Sequence, residues 1–138
     1  MISRKKQSAK GNPELTPLEL EIMQIIWGRG NATAAEVGEA LGPARPLAGT
    51  TIHTVLANLR KKGYLEPIPT VERVLRFAPC VPREQVATRS LRQVMRNFFG
   101  NSPQRLLAHL MREEAVSQTE LAELQAMLRA NRKKENKP

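Results

Sequence analysis

The chain has 138 residues, 41% of them hydrophobic and 25% charged, with a formal net charge of +9; that composition fits one globular domain, or a compact domain with a helical extension. No apolar run approaches the roughly 18 residues of a membrane span, and the basic start Met1–Lys10 lacks the apolar stretch of a secretory signal, so the cytosol is the default compartment. A single cysteine, Cys80, excludes an internal disulfide framework and a cysteine cluster for zinc.

The charge is unevenly spread. Residues 1–12 hold Arg4, Lys5, Lys6 and Lys10 without an acid, residues 13–80 balance seven basic against seven acidic residues, and residues 81–138 carry a surplus of five positive charges. A neutral segment with one basic cluster, Arg60-Lys61-Lys62, suits directed phosphate contact better than uniform stickiness.

In chain order, residues 1–12 lack periodicity and read as a flexible basic arm. Thr16-Pro17-Leu18-Glu19 opens the first helix with a capping box and a proline at the first helical position. Leu18, Ile22, Ile25, Ile26 and Trp27 recur at helical spacing until Gly28–Gly30. A second capping box, Thr33-Ala34-Ala35-Glu36, starts a short helix that Gly42-Pro43 ends. A third helix is expected from Gly49 to Lys62, closed by Gly63. Its Ile52, Val55, Leu56 and Leu59 form the inward stripe; Thr50, Thr54, Ala57 and Lys61 lie opposite, flanked by His53 and Asn58. Beyond Gly63 the period changes to two: Tyr64-Leu65-Glu66 and Val74-Leu75-Arg76-Phe77 read as strands joined through Pro67–Arg73. Pro67 and Pro69 require that this hairpin be short, irregular or at an edge. Three helices and a hairpin in this order predict a winged helix-turn-helix over 13–80.

Pro82–Phe99, a segment opened by Ser102-Pro103, and a third opened by the capping box Ser117–Glu120 read as helices. Their apolar stripes contain Leu91, Val94, Met95, Phe98, Phe99, Leu106, Leu107, Leu110, Leu121, Leu124 and Leu128. They are too few for an independent domain of this size, so burial against a second copy of the chain is expected. Residues 81–130 are thus a helical dimerisation domain and 131–138 a charged tail. The fold class is mainly α with a small β hairpin.

Thr50, Thr51, His53 and Thr54 occupy the opening of the third helix, the part of a helix-turn-helix that enters the major groove. Threonine can hydrogen-bond base edges and rest its methyl on thymine. Asn58, Arg60, Lys61 and Lys62, with Arg73 and Arg76 beside the wing, are candidates for the DNA backbone. The same residue types also solubilise a helix start, and a basic C-terminus suits the helix dipole. No catalytic, cofactor-binding or metal motif appears; Asp is absent and there are two His. A winged helix that binds only protein is the alternative, and it would want apolar residues where Thr50, Thr54 and Lys61 stand.

The set Leu15-Thr16, Glu19, Ile22-Met23 and Trp27, followed by Thr51–Leu56, Leu59 and Lys61–Leu65, resembles the penicillinase and methicillin-resistance repressors (BlaI/MecI type). The strand Arg73–Pro79 and the later Val116-Ser117, Glu120-Leu121 and Glu123-Leu124 are similar to further landmarks of that family. The resemblance spans about residues 13–130. It implies a winged-helix domain, a helical dimerisation domain and repression of a palindromic operator in double-stranded DNA by a homodimer. Asn58 replaces a residue that is often basic in the family, and Ala48 replaces its Ser-type cap. Antibiotic-responsive members are cut by a protease at an Asn-Phe pair; the aligned position here is His109-Leu110, and Asn97-Phe98 lies in the preceding helix. A regulatory protease is thus a partner the resemblance implies, without the Asn-Phe pair at the position it would cut. Copper-responsive members add a cysteine cluster that Cys80 alone cannot supply.

Overall fold

Thr16 caps helix α1 (Pro17–Arg29): its side chain accepts from the Glu19 N–H at 3.2 Å, and the Glu19 carboxylate accepts from the Thr16 N–H at 2.9 Å. The helix buries Ile22, Met23 and Ile26 completely and ends at Gly30, whose φ of +90° only glycine adopts freely. Thr33 and Glu36 repeat the same box at the start of α2 (Ala34–Leu41). The third helix, α3 (Gly49–Lys61), begins after Ala48 with no side-chain cap. The computed structural model describes residues 12–135, with side chains through Arg132; the basic arm, apart from Asn12, lies outside the described residues.

Three strands form one antiparallel sheet in the order β1-β3-β2: β1 (Ala32–Thr33), β2 (Leu65–Ile68) and β3 (Arg76–Pro79). Pro67 sits opposite Phe77 on β2, an edge strand, where a missing N–H costs no ladder bond. The hairpin is shifted from its expected place. Val74 and Leu75 stand in the loop at 56% and 58% exposure, while Ala78 and Pro79 take the ladder positions expected of them. β1 was not expected, because two residues are too few to show a period.

The core joins α1, α2, α3 and the sheet through Ile22, Met23, Ile26, Val37, Ile52, Leu56, Leu59, Tyr64, Leu65 and Phe77. Helices α2 and α3 approach closely at Gly38, where a Cβ would lie 3.3 Å from Ile52 Cδ1. The core also continues past residue 80, taking in fully buried Val81 and, at 9% exposure, Val86; Trp27 Nε1 donates to the Val81 carbonyl at 2.8 Å.

The chain divides into two units, Met1–Thr88 and Arg89–Pro138. Helix α4 (Arg83–Phe98) starts in the first; α5 (Pro103–Arg112) and α6 (Gln118–Glu135) belong to the second. Ser102 caps α5, and Ser117 with Glu120 forms the box that opens α6. Helix α6 runs through Asn131 to Glu135, where a charged tail was expected; Arg, Lys and Glu are good helix formers, so charge alone does not end a helix. No helix among the described residues is long and apolar enough to cross a membrane.

Candidate nucleic-acid interface

Helix α3 separates its two faces cleanly. Ile52, Val55, Leu56 and Leu59 are at most 7% exposed, while Thr50, His53, Thr54, Ala57, Asn58, Arg60 and Lys61 are exposed and Thr51 is half-buried. The i, i+3, i+4, i+7 stripe faces the core, which turns the polar residues outward together. The Thr54 hydroxyl donates to the Thr50 carbonyl at 2.9 Å, so its oxygen keeps accepting capacity and its methyl is held in one orientation. Ala48 offers no side-chain acceptor, so no capping side chain at that position satisfies the first-turn N–H groups of α3.

Beside this face, an open groove of ≈ 770 Å³ runs between α3 and the wing. Apolar Leu56, Ala57, Val74, Leu75 and Phe77 line it together with His53, Arg60 and Lys61. Arg60, Lys61 and, on the wing, Arg73 are exposed and hold no ion pair among the described residues. Three exposed cations on one helix end and one loop can meet a phosphate backbone without first breaking an ion pair to a described residue.

Two of the expected backbone-contacting residues do not stand with them. Lys62 turns back to the core edge, where its ammonium donates to Glu19 Oε1 at 2.6 Å and to the Glu14 carbonyl at 2.9 Å. Burial works against ionisation of Glu19, but the Lys62 hydrogen bond and the bond from the Thr16 backbone outweigh it and hold the carboxyl below its ordinary range. Arg76 is likewise committed. Its guanidinium donates to both Glu36 oxygens at 2.9 and 3.0 Å, to Glu72 at 2.8 and 3.2 Å, and to Asn31 Oδ1 at 2.9 Å. Hydrogen bonds from Arg76, helped by the backbone of Thr33 at Glu36 and by Thr70 at Glu72, lower both carboxyls; the two carboxylates raise Arg76 in turn. Arg76 therefore ties the wing loop to the start of α2 and is a positioning residue for the wing. Glu36 and Glu72, absent from the candidate residues, are its partners. Glu36 was visible as a capping residue, but its second partner lies 40 residues away, beyond any local pattern.

The apolar residues assigned to self-association all remain uncovered to some degree. Leu91, Val94, Phe98, Leu107, Leu124 and Leu128 are 41–77% exposed, and Met95, Phe99, Leu106, Leu110 and Leu121 are half-buried. Within the second unit the Phe99 and His109 rings meet edge-on, with centroids 5.5 Å apart. His109 thus has a packing role.

A polar-faced third helix beside a two-stranded wing defines the winged helix-turn-helix class of DNA-binding proteins. A solved structure described as the complex structure of hsRosR-S4 shares the fold at TM-score 0.51 and 18% identity, over 84% of this chain and 94% of that one. Residues 15–130 match the penicillinase repressor family. The chain belongs to that family, whose members are DNA-binding transcriptional repressors and not enzymes. It is 26% identical over 125 residues to a penicillinase repressor of Bacillus licheniformis, covering 89% of this chain and 97% of that protein. It is 28% identical over 122 residues to an uncharacterised 16.5 kDa protein of Latilactobacillus sakei, covering 88% and 83% respectively.

Proposed function

We propose that the chain represses transcription as a homodimer on a two-fold operator, with α3 of each protomer in a major groove and the wing against the flanking backbone. The observation that carries this reading is the outward face of α3, where Thr50, His53, Thr54 and Asn58 stand exposed ahead of Arg60 and Lys61, which hold no ion pair among the described residues. Thr50, Thr51, His53 and Thr54 would read base edges; Asn58, Arg60, Lys61 and Arg73 would hold phosphates. The dimer would form through residues 81–130, where Leu91, Val94, Phe98, Leu107, Leu124 and Leu128 stand 41–77% exposed. Two-fold symmetry then sets half-sites about one or two helical turns apart.

Selection of binding sites from fragmented genomic DNA by the purified full chain tests this reading. A recovered motif with two-fold symmetry supports it, and recovery of no motif at low salt overturns it. On the recovered site, Thr54→Ala is expected to reduce discrimination at one base pair per half-site by about 1–3 kcal/mol. Equal losses on specific and random duplexes would remove Thr54 from the base-reading set.

A further inference from the structure

The wing carries an apolar pair that phosphate contact does not explain. Val74 and Leu75 are 56% and 58% exposed, and both line the groove between α3 and the wing. Their place is fixed by the residues that bracket them. Arg76 donates to Glu72 Oε1 at 2.8 Å, which closes the loop around the pair, and to the Glu36 oxygens at 2.9 and 3.0 Å, which ties that loop to the start of α2. This wall of the groove is therefore built before any ligand arrives. Helix α3 lines the same groove with exposed Ala57, Arg60 and Lys61, and β3 with buried Phe77. No Asp or Glu is among the described lining residues, so the groove combines apolar side chains with positive charge.

We propose that this groove binds a small organic carboxylate with an apolar body, its carboxylate on Arg60 and Lys61 and its body against Val74 and Leu75, and that the bound ligand displaces DNA. This rests on the DNA-binding reading above and adds a regulator acting on the same face. Charge complementarity selects the occupant. Arg60 and Lys61 hold no ion pair among the described residues, and a guanidinium fork takes both oxygens of a carboxylate at once. An inorganic anion would leave the apolar pair uncovered, whereas a neutral hydrocarbon would strip water from two cations and return no hydrogen bond. Size agrees as well: ≈ 770 Å³ falls within the roughly 300–1,000 Å³ of small-molecule sites. The cations that would hold the carboxylate are those assigned to phosphates, so ligand and duplex exclude one another. By linkage, ligand at about ten times its Kd lowers duplex affinity about 10-fold.

The test titrates the full chain, without DNA, with 2-naphthoate and with 2-naphthamide, an uncharged probe of nearly the same shape, and follows backbone N–H signals by NMR. Saturable shifts are expected in α3 and residues 72–77, with 2-naphthamide binding about 10-fold more weakly or worse. Equal affinity for the two probes overturns the proposal, as do shifts confined to residues 89–135, where other apolar side chains stand exposed. Groove signals that move with protein concentration and not with 2-naphthoate assign the groove to a second copy of the chain and also overturn it. Leu75→Ser is expected to weaken 2-naphthoate about 5–10-fold while leaving the melting temperature and the affinity for a random-sequence duplex unchanged; undiminished 2-naphthoate binding overturns the apolar contact. Arg60→Gln should weaken both ligands. In competition, saturating 2-naphthoate should lower affinity for the random duplex, and unchanged duplex affinity overturns the displacement. Groove binding of 2-naphthoate by a chain that selects no genomic site fails only the repressor reading, whereas a site-selecting chain indifferent to 2-naphthoate fails only this proposal.

Discussion

The two units of this chain use similar apolar residue types and reach opposite states of burial. In the first, Ile22, Met23, Ile26, Leu59 and Leu65 are fully buried, because three helices and a sheet meet around them. In the second, no described side chain is buried, and Phe98, Met127 and Leu128 stand 77%, 63% and 61% exposed. At about 25 cal/mol per Å² of apolar surface removed from water, the first unit collects its stabilisation within one chain. The second unit leaves Leu91, Phe98, Met127 and Leu128 at least half exposed and so collects less. The contrast separates a part whose apolar side chains are covered from a part whose apolar side chains stand exposed, which is what the proposed dimer would cover.

Four substitutions sharpen or break that contrast. The largest effect is expected from Leu59→Ala at the centre of the first core, a loss of about 2–5 kcal/mol. Chemical denaturation should show it at every protein concentration; a loss that vanishes at high concentration would mean that this unit also depends on its partner. Next comes Phe98→Asp in the second unit. It should leave the first unit's unfolding midpoint unchanged but weaken self-association by about 2 kcal/mol or more, roughly 30-fold. Sedimentation velocity over a concentration series reads this directly, and an undiminished dimer would place the interface elsewhere.

Glu19→Gln is expected to cost about 1–3 kcal/mol, because it weakens the charge-assisted bond to Lys62 in a largely buried setting. The pH dependence follows from the lowered Glu19 carboxyl. Its stabilising contribution is complete above the unfolded carboxyl's value near about 4.3 and disappears as pH falls through the lower folded value. The stabilities of Glu19→Gln and the parent should therefore converge at acid pH, and a constant gap would show that the ion pair is not its source. The smallest effect belongs to Ala48→Ser, which supplies the missing cap to α3 and should stabilise the first unit by about 0.5–1 kcal/mol. Because the new hydroxyl would satisfy a first-turn N–H, weaker DNA binding should accompany the gain; stronger binding would exclude those N–H groups from the interface.

Among the site residues, legibility followed the distance over which each constraint acts. The outward set on α3, from Thr50 to Lys61, was readable because one helical period sorts buried from exposed residues within two turns. The ion pairs of Lys62 and Arg76 were not foreseen because a cation's composition and position do not show whether a carboxylate waits across the fold. Their partners Glu19 and Glu36 lie 43 and 40 residues away. Both acids were identified only as caps, yet each also anchors a basic residue that had been assigned to DNA. The bond from Asn12 Nδ2 to the Lys62 carbonyl was invisible for the same reason, since it spans 50 residues.

The sequence by itself determined the helices, their caps, the inward stripe of α3, the limits that two prolines set on the hairpin and the family resemblance. These are set by local chain geometry, by the 3.6-residue period and by side chains bonding to backbone three residues away. Only the tertiary structure decided the two-residue strand β1, the displaced hairpin, the extension of the core to Val81 and Val86, and which cations are held in ion pairs. Each depends on groups brought together from distant parts of the chain, where a carboxylate within hydrogen-bond reach of a guanidinium or ammonium changes its role from ligand-binding to structural.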